Sequence, residues 1–293
     1  MDYNEFKKQL LEQINNKLKN AEIRSYTKIN NITKEGIFIP NEEKNCIPLI
    51  HLDDLFRLYE LSGDIETIVE IVLAISNTSQ TADIQKIFGS WENAQSRLNL
   101  RVINSKWNRD ILEDLPHRNF MDLSLVVYMD FIRNQEEIVS TAVTPDIMKL
   151  WKVDEETLFH TAFINLQKEK FIIRDMEEII QEMRGGEILP TPYDGINYVM
   201  TNAERKYGAR GMLRTDMLIQ FAESVHADLY ILPNSLDDIV LTPVRPELAD
   251  EILNDMMAVI KVFNKPEQDS LSDNIYYFNR ESKTISVYTS ETV

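Results

Sequence analysis

Two short stretches hold the residues best suited by type and spacing to do chemistry. In Pro116-His117-Arg118-Asn119, just ahead of an apolar run, Arg118 is suited to clamp a carboxylate or phosphate through its planar fork. His117 would then serve as acid or base, with Asp122 orienting it. The competing reading is a turn in which Arg118 and Asp122 pair with each other and fix the entrance to the strand. The second stretch, Glu204-Arg205-Lys206-Tyr207-Gly208-Ala209-Arg210-Gly211-Met212-Leu213-Arg214, is the sharpest basic cluster in the chain. Its glycines lead toward a helix whose first amides could hold an anion, with Arg205, Arg210 and Arg214 as counter-charges. Gly-x-x-x-x-Gly-Lys-Ser/Thr and Gly-x-Gly-x-x-Gly are both missing, so this is not a nucleotide fingerprint. A glycine turn with solvated charges is the alternative.

The other reactive types form no comparable set. His51, His117, His160 and His226 lack His-Glu-x-x-His or His-x-His spacing, so no metal and no cofactor is expected and no catalytic residue is assigned. Ser235, in Asn234-Ser235-Leu236-Asp237-Asp238, has no Gly-x-Ser-x-Gly around it, and these are ordinary turn residues. Cys46 is the only cysteine, which excludes an intramolecular disulfide framework, fits a cytoplasmic location and suits a small buried apolar residue.

The 31 Lys+Arg against 48 Asp+Glu give a formal charge of −17. Such a surface repels phosphate backbones and anionic membranes, which disfavours nucleic acid and lipid; it could attract a basic protein partner, the competing reading being a surface that serves solubility alone. No basic-then-apolar leader opens the chain, and no apolar run approaches the roughly 18 residues that span a bilayer.

The elements that must position these residues follow from periodicity. Phe6, Leu10, Ile14 and Leu18 recur every four residues and predict an opening amphipathic helix. Asn30-Asn31 and Gly36 predict a short hairpin over 23–40, and Leu52 to Val72, interrupted by Gly63-Asp64, predicts two further helices. Ile84, Ile87, Phe88, Trp91 and Leu98 read as another helical face. From Asp122 to Ile132 the alternation predicts a strand with one face in the core. Thr144-Pro145 and Asp154 are helix starts, and Phe171–Ile173 and Asn197–Met200 are strands around a Gly- and Pro-dense loop at 184–195. A helix over 213–225, strands over 228–232 and 239–244, a long helix from Pro246 to Phe263 and a closing hairpin over 275–288 complete the reading.

Four segments also carry a likeness. Leu115-Pro116-His117-Arg118-Asn119-Phe120-Met121-Asp122-Leu123, Trp151-Lys152-Val153 before a helix ending in Ala162-Phe163-Ile164-Asn165, Tyr230-Ile231-Leu232-Pro233-Asn234-Ser235, and Leu271-Ser272-Asp273-Asn274-Ile275-Tyr276-Tyr277-Phe278 occur in this order. Together, over roughly residues 110–290, they resemble the clostridial family catalogued as domain of unknown function 5688, with a remoter similarity to domain of unknown function 1444. The resemblance implies a bacterial intracellular protein and transfers no catalytic or binding residue.

The expectation is an α+β chain. A mainly helical region with a short β-hairpin, residues 1–105, packs on an α+β domain, residues 106–293, whose mixed or antiparallel sheet has flanking helices. The expected function is that of a non-catalytic acidic binding or regulatory protein acting through a protein–protein surface. The alternative is an enzyme or binding protein for a small phosphorylated or carboxylated ligand, using His117, Arg118 and the Arg205–Arg214 loop.

Overall fold

In the computed structural model, which describes residues 1–40, 50–77, 88–133, 138–183, 185, 196–233, 235–245 and 269–289, helix α1 (Tyr3–Lys17) starts at Asp2. The Asp2 carboxylate accepts a hydrogen bond from the Glu5 amide at 2.9 Å, which satisfies one of the free donors at a helix start. Phe6, Leu10 and Ile14 form its buried stripe. Strands β1 (Glu22–Lys28) and β2 (Ile32–Phe38) pair antiparallel, and Asn30 and Asn31 turn the chain between them at φ 67° and 56°, a region asparagine tolerates. The hairpin thus occupies the span expected for it, 23–40, to within two residues at each end, and β3 (Ile50–His51) adds a third strand. Helix α2 (Leu52–Ser62) ends at Gly63, φ 69°. Asp64 then receives the Glu66 amide and the Thr67 hydroxyl and opens α3 (Ile65–Asn77). Ile37, Leu52, Ile68 and Val72 close the core around the α1 stripe.

Contacts along the chain divide it into two compact units, Met1–Asn93 and Ala94–Val293. The second begins its sheet with β4 (Leu98–Asn104), on the N-terminal side of the expected boundary near residue 105. Leu98, grouped by spacing with a helical face, opens this strand instead, because a 3-10 turn at Gln95–Arg97 ends the preceding helix. Strand β6 (Leu123–Arg133) is the centre of a four-stranded antiparallel sheet, with β4 along one edge and β5 (His117–Phe120) and β7 (Ile138–Ala142) along the other. The short helix α4 (Arg109–Glu113) lies between β4 and β5.

Helix α5 (Pro145–Trp151) starts at Thr144 and helix α6 (Glu155–Lys168) at Asp154, whose carboxylate accepts the Thr157 amide at 2.8 Å. Helix α6 packs on β4 and β6 through Leu158, Phe159, Ala162 and Leu166. A second sheet has six strands, all antiparallel to their neighbours, in the order β13 (Thr284–Val287), β12 (Tyr276–Asn279), β10 (Leu229–Leu232), β11 (Ile239–Pro243), β9 (Tyr198–Asn202) and β8 (Phe171–Asp175). Helix α7 (Met176–Met183) follows β8, and a 3-10 turn (Gly208–Leu213) with helix α8 (Thr215–Val225) carries the chain from β9 to β10. The molecule is of the α+β class, with antiparallel sheets. Cys46, Ile84, Ile87, the Arg184–Gly195 loop apart from Gly185, Asn234 and the Pro246–Phe263 stretch lie outside the described residues. Among the described residues no helix is long and apolar enough to cross a membrane.

Candidate functional site

Strand alternation puts Leu98, Leu100, Leu125, Val127 and Met129 on one face of the four-stranded sheet and Asn99, Arg101, Val126, Tyr128 and Asp130 on the other. The first face takes α6. The second was expected to be the less buried one, yet Ser124 is 0% exposed and Asp130 6%. A charged layer covers it. Arg101 lies between the rings of Tyr128 and Tyr207, 3.7 Å from each centroid, and hydrogen-bonds Ser140. Burial lowers the Arg101 pKa, and the neighbouring Tyr207, Tyr128 and Asp130 oppose that effect.

Glu169, directly after α6, is the hub of this layer. Arg210 grips it with two bonds, Nε to Oε2 at 2.8 Å and Nη2 to Oε1 at 2.5 Å, and donates its Nη1 to the Leu100 carbonyl at 3.3 Å. Arg133 and the Asn202 amide also donate to Glu169 Oε1. Burial acts to raise the Glu169 carboxyl, but the bonds and charges of Arg210 and Arg133 outweigh it and hold the pKa below the usual value. Arg133 reaches Glu204 at 3.1 Å and Asp130 at 3.7 Å. Burial pushes the Asp130 carboxyl up, against the charge of Arg101, the neighbouring Asn99 side chain and the charges of Arg133 and Arg210.

Beside this layer is a cavity of about 520 Å³, a volume typical of small-molecule sites. Its lining includes Arg97, Asn99, Asp130, Arg133, Lys168, Glu169, Lys170 and Glu204, four cations and three carboxylates. Asn165 shapes one wall by donating to the carbonyls of Gln95 and Leu98 at 2.7 and 2.9 Å, which ties α6 to the start of β4. Among the described residues, the buried side-chain atoms without a hydrogen-bond partner are Asn99 Nδ2, Arg101 Nε, Asp130 Oδ1 and Arg133 Nε. Asn99, Asp130 and Arg133 line the cavity, and Arg101 is the strand neighbour of Asn99 two residues on. Unpaired buried polar atoms are costly, so their gathering at one place marks it.

The residues singled out from sequence are distributed differently. His117 is exposed, with Nδ1 2.9 Å from the Leu115 carbonyl. Arg118 pairs with Glu156 at 2.5 Å and lies over Phe159. Asp122 accepts from Ser272 Oγ at 2.7 Å, Tyr276 OH at 2.9 Å and Asn274 Nδ2 at 3.0 Å. Arg118 and Asp122 thus each bind a different, distant element, and the expected pairing between them is replaced by a clasp that joins two of the four likeness segments. Glu156 and Glu169 sit at opposite ends of α6, about 20 Å apart at 1.5 Å per residue, so Arg118 and Arg210 do not converge.

Arg205 is exposed. Arg210 is 1% exposed, and Arg214 is bound to Asp216 by Nε at 2.8 Å and Nη2 at 2.7 Å and donates Nη1 to the Leu166 and Glu169 carbonyls. The solvated-charge reading of this loop fails for Arg210 and Arg214, because both are buried: Arg210 is held by Glu169, and Arg214, besides its neighbour Asp216, reaches the Leu166 and Glu169 carbonyls. The glycines serve close packing. A Cβ on Gly208 would meet Asp237 O and Thr201 Oγ1 at 2.4 Å, and one on Gly211 would press on Met200 and Phe171 at 3.0 Å. Asn99, Asp130, Arg133 and Glu169 were not singled out by sequence. The signal that could have found them is polar or charged residues at alternate positions of apolar strands, as in Leu98-Asn99-Leu100-Arg101 and Tyr128-Met129-Asp130.

Among the described residues no group of three or more His, Cys, Asp or Glu could hold a metal ion. No curated protein and no solved structure gives a significant match to the chain. The profile described as "Family of unknown function (DUF5688)" matches residues 3–280. Because that match spans nearly the whole sequence, segments from both units included, the chain belongs to the DUF5688 family.

Proposed function

We propose that the second unit is a receptor for a small anion-bearing molecule, acting in a bacterial cytoplasm, with the cavity beside Glu169 as its site. One observation carries this reading: two side chains with a buried donor that lacks an acceptor, Asn99 at Nδ2 and Arg133 at Nε, line a cavity that Arg97, Lys168 and Lys170 line as well. In a chain of charge −17, a cavity lined by more cations than carboxylates stands apart from its surface. Arg210 and Arg214 hold the walls, while Arg133, Asn99 and the lysines meet the ligand.

Differential scanning fluorimetry of the full chain with inorganic phosphate, succinate, citrate and the free amino acids tests it. A ligand at about 100 times its Kd adds about 2.7 kcal/mol of stability, which raises the melting midpoint by roughly 5–10 °C for a unit of this size. Asn99→Ala should halve that shift or more. No shift with any of these compounds contradicts the proposal.

The charge of −17 supports a second reading, an acidic surface that meets a basic protein. Its mark would be saturable, salt-sensitive binding of a lysine-rich peptide, unaffected by Asn99→Ala.

A further inference from the structure

Asp130 and Asn99 stand on the adjacent strands β6 and β4 at the cavity, each 6% exposed. Asp130 Oδ1 has no donor, and Asn99 Nδ2 and Arg133 Nε no acceptor, at hydrogen-bond geometry, although the Asn99 side chain lies beside Asp130 and favours its ionised form. The site therefore asks for both partners, an acceptor-rich group at Asn99 and Arg133 and a donor at Asp130. The ion pairs sharpen this demand. Glu169 and Glu204 are each bound by Arg133, but Asp130 reaches that guanidinium only through Oδ2 and only at 3.7 Å. Asp130 is thus the lining carboxylate with an ionisable oxygen still to satisfy.

A simple dianion would meet Lys168, Lys170 and Arg133 and at the same time be repelled by Asp130. A neutral polyol would leave the cations poorly matched. A molecule with one anionic and one cationic end suits a lining of four cations and three carboxylates. A charged donor also bonds a carboxylate more strongly than a hydroxyl does, which favours an ammonium at Asp130. We propose that the cavity takes an amino-acid-like zwitterion, its carboxylate held by Asn99, Arg133 and the rim lysines and its ammonium by Asp130. This assignment rests on the cavity being the ligand site.

Calorimetric titration of the full chain tests it with matched compounds. Each free α-amino acid is compared with the carboxylate that lacks its amine, for example alanine with propionate and glutamate with glutarate, and inorganic phosphate is run beside them. At least one amino acid should bind about tenfold or more tightly than its deaminated partner. Asp130→Asn should remove most of that preference, chiefly because the deaminated carboxylate, no longer repelled, binds at least as tightly as before while the amino acid loses its partner for the ammonium. Equal affinity within every pair, or binding of phosphate alone, overturns the zwitterion assignment and leaves an anion site in place. No saturable binding at all overturns both. The pairs are read on the unaltered chain, so the outcome is decided even if Asp130→Asn does not fold.

Discussion

Glu169 accepts four hydrogen bonds from three side chains, Arg210, Arg133 and Asn202. Removing one partner of such a buried pair leaves an uncompensated charge, whereas removing both can be nearly neutral. Glu169→Ala should therefore cost about 3–5 kcal/mol in urea unfolding. Adding Arg210→Met should recover a large part of it, a coupling that a double-mutant cycle measures. Strictly additive losses would show that the pair does not organise the layer. At this scale the sequence was informative about residue type and silent about partners. Arg210 stands out in an acidic chain, but the carboxylate that binds it is 41 residues away, in a Lys168-Glu169-Lys170 triplet that reads as a solvated helix end. Likewise Asp122 reads as an orienter for His117 until the segment 272–276, some 150 residues later, is seen to bind it.

Among the elements, turns and caps were the most legible, because their signals are local. Asn30-Asn31, Gly63-Asp64, Thr144-Pro145 and Asp154 all mark boundaries found in the structure. Sheet membership was less so, since β4 shows its partner β6 only through a register across some 25 residues. The 3-10 turn at Gly208 is where packing decides. Gly208 has no Cβ where Asp237 O and Thr201 Oγ1 approach, and the Tyr207 amide donates to Asp237 Oδ1 at 2.7 Å. Gly208→Ala should destabilise the second unit by about 1–3 kcal/mol, through overpacking against backbone rather than through lost contacts. It should also weaken ligand binding, because Tyr207 covers Arg101 and Arg210 follows two residues later. A variant as stable as the parent would mean that the turn gives way freely.

For the molecule as a whole, the two units should respond differently to acid. In the first, Tyr26 OH meets His51 Nδ1, and burial, aided by Lys28, lowers the imidazole pKa. The unfolded chain then binds the proton more tightly than the folded one, so stability falls as pH drops below about 6.5. In the second unit the Glu169 carboxyl is held down, so its contribution persists until pH falls below about 4.3 and is lost as pH drops through the folded value. Hydrogen exchange of the full chain from pH 7 to pH 4 should show α1, β1 and β2 losing protection before β4 and β6 do. His51→Asn, which keeps an acceptor near Tyr26 and removes the titration, should flatten the early loss. The reverse order of loss would contradict this assignment.

A ligand site beside Glu169 is tested most directly by where a small ligand lands. Amide chemical shifts of the full chain, followed during titration with the tightest-binding amino acid or anion, should move saturably at Asn99, Asp130, Lys168 to Lys170 and Glu204, with His117 and Arg118 unmoved. Shifts that gather at His117 and Arg118, or none that saturate by about 10 mM, would contradict a ligand site beside Glu169.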